Sequence, residues 1–229
     1  MIGVAVIGAA VIETVIFDMD GLLIDSEQVW DDARERLAEE RGGRWHARAQ
    51  RDMMGMSSPE WSRYMHDVIG LPEPPEEINR EVVERLVATY REHLPVIPGA
   101  REAVERLAAR WPLGLASSSN RELIELVLDL LGVSQLFAAT VSSEEVAGGK
   151  PAPDVYLEAA RRLGVDPARA AAVEDSHNGI LAARRAGMCV LAIPNRHFPP
   201  EPEALAEADA VLDSLEELTP ETVEATCRR

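Results

Sequence analysis

The sequence predicts an α/β protein: a parallel β-sheet core with helices on both faces, carrying an inserted all-helical domain. Three observations lead there. A short apolar run, Val15-Ile16-Phe17, ends abruptly in Asp18-Met19-Asp20-Gly21, the form of a buried parallel strand whose carboxyl end opens into a loop. Helix-period segments alone fill residues 25–94. After Pro98-Gly99, short strands and helices alternate regularly, which implies crossover connections and a parallel sheet.

Composition bounds the answer. A chain of 229 residues, 46% apolar and 28% charged, has the make-up of a soluble globular protein large enough for one domain or for a core with a smaller insert. The net charge of −17 argues against nucleic acid or an anionic membrane surface as partner, since both need a positive face. An anionic substrate would need local cations or a metal to reverse that field. The two cysteines, Cys189 and Cys227, show no metal-ligand spacing and read as free thiols in a reducing, cytoplasmic setting. Met1 to Ile12 is apolar without Lys or Arg; it makes a poor signal peptide, is too short to span a bilayer, and reads as an extended tail. Among 23 Lys and Arg residues only Lys150 is lysine, a position that suggests a compact ammonium rather than a guanidinium fork.

The elements follow in order. From Ser26, a fair N-cap, the apolar residues Val29, Trp30, Ala33 and Leu37 recur at helical spacing until Arg41-Gly42-Gly43. A shorter helical piece covers Ala47 to Met53 and Gly55 breaks it. Ser57-Ser58-Pro59-Glu60 reads as a capping box opening a helix to about Ile69. Val82, Val83, Leu86, Val87 and Tyr90 mark a further amphipathic helix. The domain boundaries are therefore placed at 1–24 and 95–229 for the α/β core and 25–94 for the helical insert. In the second core segment a helix over Ala100 to Arg110 precedes a strand over Pro112 to Ala116. Ser119 and Glu122 can form a capping box on a helix from Arg121 to Leu131. Phe137 to Val141 is a strand, and a Gly/Pro-rich loop around Lys150 opens a helix from Val155 to Leu163. Ala170 to Val173 is a strand ending in Glu174-Asp175; Gly179 starts a helix to Arg185. Met188 to Ile193 and Ala210 to Leu212 complete the set, with Pro199 to Glu207 a solvated connector.

Four polar clusters fall at strand carboxyl ends or just beyond them: Asp18/Asp20, Ser117 to Asn120, Gly149-Lys150 and Glu174-Asp175. Ligands of open α/β sheets sit at that edge. Acids at alternate strand positions face one site and invite a divalent cation. These residues supply the parts for phosphoryl transfer through a carboxylate. Asp18 is placed to attack phosphorus and Asp20 to exchange a proton with the leaving oxygen and then with water. Asp175, with Glu174, would help hold Mg²⁺. Ser117 and a helix N-terminus would grip phosphate, and Lys150 would neutralise charge. Ser118, Asn120, Gly21, Gly55 and Trp30 are candidate substrate contacts, with helix capping and core packing as the plainer roles of Asn120 and Trp30.

The chain resembles the haloacid dehalogenase superfamily, in its phosphatase branch with a helical cap inserted after the first strand. Asp18-Met19-Asp20-Gly21 is similar to its first motif, Ser117 at a strand end to its second, Lys150-Pro151-Ala152-Pro153-Asp154 to its third, and Val173-Glu174-Asp175-Ser176 with Gly179 to its fourth. The resemblance implies a Rossmann-like core and the hydrolysis of a small phosphorylated metabolite through an aspartyl-phosphate. It implies Mg²⁺ on the Asp18 carboxylate, the Asp20 main-chain carbonyl and Asp175, with Glu174 near through water, and a monomer or small homo-oligomer. Asp20 sets the chain apart from the dehalogenases, and the lack of lysine between 25 and 94 from the phosphonate-cleaving members. The β-phosphoglucomutase type carries a cap histidine twelve residues after the nucleophile, where this chain has Trp30. A phosphatase is therefore expected, with a sugar phosphomutase or a non-enzymatic binding scaffold as alternatives.

Overall fold

The computed structural model describes residues 11–54 and 56–228. The N-terminal tail and Gly55, both read from the sequence, lie outside the described residues. Strand β1 (Thr14–Phe17) occupies the middle of a six-stranded, wholly parallel sheet with β2 (Leu113–Ser117), β3 (Phe137–Ser142), β4 (Ala170–Glu174), β5 (Cys189–Ala192) and β6 (Ala210–Val211), in the order β3-β2-β1-β4-β5-β6. All four residues of β1 are fully buried, and its two faces serve two different clusters. Val15 and Phe17 pack in the larger one and Ile16 in the second. A strand covered on both sides has no polar face, which is why its sequence runs apolar without alternation.

The described residues include ten α-helices. Between β1 and β2 the chain passes through α1 (Glu27–Glu40), α2 (Ala49–Met53), α3 (Ser58–Tyr64), α4 (Pro75–Glu92) and α5 (Ala100–Ala108). Beyond β2 come α6 (Arg121–Leu131), α7 (Asp154–Leu163), α8 (His177–Arg185), α9 (Pro202–Leu205) and α10 (Pro220–Thr226). The fold is the expected Rossmann-like α/β core with an all-helical insertion after the first strand. No helix among the described residues is long and apolar enough to cross a membrane.

Local signals placed most elements within a few residues. The Glu60 carboxylate accepts from the Ser57 backbone N–H at 2.8 Å and from its hydroxyl at 2.6 Å, closing the start of α3 as the sequence suggested. Beyond Tyr64 that helix widens into a π-turn, Met65–Ile69, and stops at Gly70 in the left-handed region.

Four local expectations are corrected. Ser26 precedes α1 but makes no capping bond, and neither Ser119 nor Asn120 caps α6; the hydroxyls of Ser26 and Ser119 have stronger acceptors in the site below. The stretch from Pro199 to Glu207 is not merely a solvated connector, because it contains α9 with Ala204 fully buried. Cys189 and Cys227 are not free thiols. They form a disulfide with Cα atoms 5.7 Å apart, because the first residue of β5 and the residue closing α10 pack side by side. Nothing in a sequence separation of 38 signals that pairing.

Candidate active site

The sheet order reverses beside β1, whose neighbours β2 and β4 lead away in opposite directions. Crevices at the carboxyl ends of strands open at such a point. Phe17 pairs with Val173 and with Leu115, and the Asp18 N–H still donates to the Val173 carbonyl at 3.0 Å. One residue further on, Asp18, Glu174 and the end of β2 must therefore meet.

Lys150 joins them. Its Nζ donates to Asp18 Oδ1 and to Glu174 Oε1, each at 2.6 Å, and all three side chains are buried. Tyr156, on α7, donates its hydroxyl to the same Glu174 oxygen at 2.7 Å. The second Glu174 oxygen accepts from the N–H groups of Asp175 and Ser176 and from the Ser176 hydroxyl. Glu174 is thus satisfied from within the protein and acts as the anchor of Lys150. Gly179 makes this possible: a Cβ there would lie 1.9 Å from Glu174 Oε1.

Asp175 differs. It is 1% exposed, and its Oδ1 has no hydrogen-bond partner. Gly21, with φ of +78°, brings its backbone so near that a Cβ would stand 2.1 Å from Asp175 Oδ2. Gly21 therefore lets the first loop close over Asp175. Asp18, Glu174 and Asp175 each offer an oxygen within 4.8 Å of the others. Burial pushes the Asp18 carboxyl up to about 8; Lys150 opposes that and Glu174 and Asp20 reinforce it. Burial, then Glu174 and Asp18, holds Asp175 well above the ordinary carboxylate range. Burial disfavours the Lys150 ammonium, but Asp18 and Glu174 outweigh it and raise its pKa. Three crowded acids with one ammonium, all-oxygen donors and an orphaned buried oxygen fit a hard divalent cation.

Asp20 faces the same space from the loop after β1. Its Oδ1 accepts from Ser26 Oγ at 2.7 Å and Trp30 Nε1 at 3.4 Å. Its Oδ2 accepts from Ser119 Oγ at 2.7 Å and Ser117 Oγ at 3.3 Å. Two donors come from the helical insert, one from the last residue of β2 and one from the loop after it. Trp30 is both a packed residue, edge-on to Trp61, and a donor to the site. Ser118 lines the cavity. Asn120 is committed elsewhere: its side chain bonds Ser58 Oγ, Asn79 and Glu144, tying α3 and α4 to the core. A cavity of about 630 Å³ connects Asp18, Asp20 and Lys150 with Glu27, Arg34 and Trp61 of the insert. Part of its wall is the His197 to Pro202 segment. Tyr156, Ser26 and Arg34 were not singled out as site residues from the sequence; single polar residues without a motif carry no signal there.

A family model for haloacid dehalogenase-like hydrolases matches residues 12–187. The chain belongs to that family. It is 36% identical over 224 residues to hexitol phosphatase B of Escherichia coli K12, covering 89% of this chain and 93% of the relative. It is 35% identical over 178 residues to the phosphorylated carbohydrates phosphatase of Thermotoga maritima, covering 77% and 82%. Among solved structures, CbbY from Rhodobacter sphaeroides in complex with phosphate superposes with a TM-score of 0.81 at 30% identity, covering 90% of this chain and 96% of that one. A haloacid dehalogenase-like hydrolase with phosphatases among its relatives, this protein is a phosphatase, as expected from the sequence.

Proposed function

We propose that the protein hydrolyses the phosphate monoester of a small sugar or polyol through an aspartyl-phosphate on Asp18, with residues 25–94 as a cap over the reaction. The observation that carries this reading is the meeting of Asp18, Asp20 and Lys150 around one cavity beneath the helical insert, with Asp175 beside Asp18. The substrate class is supported by the carbohydrate and hexitol phosphatases among the relatives.

An Asp18 oxygen attacks phosphorus and the bond from phosphorus to the ester oxygen breaks. Asp20 delivers a proton to the departing alkoxide, which leaves as the free alcohol. Asp20 then takes a proton from water, whose oxygen attacks the phosphorus held on Asp18. The bond to Asp18 breaks, inorganic phosphate departs and the carboxylate is restored. Four donors aim Asp20 at both events. Lys150, fixed by Glu174 and hence by Tyr156, places positive charge beside Asp18 as the anionic phosphoryl group arrives. Ser117 is fully buried and hydrogen-bonds Asp20 and the Ser119 N–H, so it shapes the phosphate loop beneath the accessible Ser118. Asp18, Asp175 and the Asp20 carbonyl would hold Mg²⁺, with Glu174 behind them. When bound, the ion supplies the charge neutralisation that lets a carboxylate approach a phosphate dianion. Closure of the insert excludes water during transfer, and opening admits it for hydrolysis.

The test is release of phosphate from an aryl phosphate with Mg²⁺. Asp18→Asn should abolish it; undiminished turnover in that variant would remove Asp18 from the nucleophile's role.

A further inference from the structure

The helical insert brings a buried cation into the cavity that the sequence pattern did not announce. Arg34, on α1, is 5% exposed, and its guanidinium sits in the corner formed by two edge-on indoles, 4.5 Å from the Trp30 ring centre and 4.7 Å from that of Trp61. It lines the same cavity as Asp18 and Asp20. Its hydrogen bond among the described residues, Nη1 to Gln50 Oε1, is stretched to 3.5 Å, and its Nε has no partner. It makes no ion pair with a described residue. A guanidinium carries five N–H donors, and a buried charge so poorly matched is costly unless something else meets it. Trp30 carries this fork on its face while its Nε1–H donates to Asp20, so Arg34 sits one indole away from the proposed proton-transfer residue.

The rest of the row indicates what meets it. Gln50, also buried, donates its amide to the Glu27 carboxylate at 2.9 Å and to the Glu27 carbonyl at 3.1 Å. Guanidinium, amide and carboxylate therefore form one connected strip, with Arg34 and Glu27 both at the cavity wall. The strip offers donors at one end and acceptors at the other. A second phosphate or a carboxylate on the substrate would gain Arg34 but face Glu27 and Asp20. A run of hydroxyls, each both donor and acceptor, satisfies the two ends together.

We infer that Arg34, held by the Trp30–Trp61 corner and Gln50, is the specificity-determining residue of the cavity: with Glu27 it reads hydroxyl groups remote from the phosphate, selecting polyhydroxylated monophosphates over substrates with a second anionic group. This rests on the phosphatase reading for its substrate, and the experiment separates the two. In an Asp18→Asn background with Mg²⁺, calorimetry compares binding of a hexitol 6-phosphate, the corresponding 1,6-bisphosphate and phenyl phosphate for Arg34, Arg34→Lys and Arg34→Met. Turnover of the same esters is followed with Asp18 intact. Arg34→Lys keeps the charge and loses the fork, so the preference for hexitol phosphate over phenyl phosphate should fall about tenfold or more in both variants, with the change in KM exceeding that in kcat. Because preference is compared within each variant, a general loss of stability does not imitate the result. An unchanged preference in Arg34→Lys, or a wild type that binds the bisphosphate more tightly than the monophosphate, overturns the inference. Arg34-dependent hexitol phosphate binding without turnover of any ester supports the inference while removing the phosphatase reading.

Discussion

Adding one methyl group at Gly179 should disable the site without replacing any charged residue. Its Cβ would stand 1.9 Å from Oε1 of Glu174 and 2.0 Å from Oε2. Carbon and oxygen do not approach below 3.0 Å, so carboxylate and helix must part by about 1 Å. Both are confined: Glu174 is fully buried with five hydrogen-bond donors around it, and α8 starts on the Ser176 side chain, which accepts from the Gly179 N–H at 3.2 Å. Overpacking of this kind costs about 1–3 kcal/mol, and disturbing a charge-assisted bond adds about 1.5–3 kcal/mol. We expect Gly179→Ala to lose about 2.5–6 kcal/mol in urea unfolding at neutral pH. Lys150 should shift with Glu174, and a misplacement of about 1 Å costs on the order of 100-fold in rate. Aryl phosphate turnover measured on the folded variant reads that second effect. Stability within about 0.5 kcal/mol of wild type together with unchanged turnover would show that Glu174 is not the rigid anchor described here.

Two further predictions concern the ion and pH. Mg²⁺ should raise the thermal midpoint, because a cation that binds only the folded chain at about 100 times its Kd stabilises it by about 2.7 kcal/mol. At this chain length that is about 5–10 °C. Asp175→Asn should remove most of the shift, and an equal shift in both proteins would place the ion elsewhere. Glu27 is pushed up to about 7, chiefly by burial and then by Asp20. Between its ordinary value near 4.5 and 7 the folded state binds the extra proton, so rising pH destabilises the fold across that window. The penalty is absent below the window and complete above it. Glu27→Gln should therefore be more stable than wild type above pH 7 and gain nothing below about 4.5; chemical denaturation at several pH values reads the difference. A pH-independent difference would mean that Glu27 titrates normally.

Much of the architecture was legible locally. Val15-Ile16-Phe17 running into Asp18 has the pattern of a buried strand, and Ser57-Ser58-Pro59-Glu60 carries its own capping chemistry. The amphipathic stripe of α4 announces one buried face through Val82, Val83, Leu86 and Tyr90. Asp18, Asp20, Lys150 and the Glu174-Asp175 pair could be named because each ends a strand or lies in the connection beyond it, and parallel topology gathers those positions at one edge. Helical and strand periods are properties of neighbouring residues, so a sequence expresses them directly.

The partners of polar side chains are another matter. Ser26 and Ser119 looked like helix caps and became donors to Asp20. Glu174, expected near the metal through water, also accepts from Lys150, Tyr156 and its own loop. Asn120, proposed at the substrate, fastens α3 to the core, and Cys189 found Cys227 across the fold. The Arg34 guanidinium was one more helix cation until packing set it against two indoles. A hydroxyl, an amide or a guanidinium accepts several partners of nearly equal energy, and the chain's own neighbours do not choose among them. Burial chooses, by removing water as the competing partner and leaving only the groups that the sheet and the insert bring within reach.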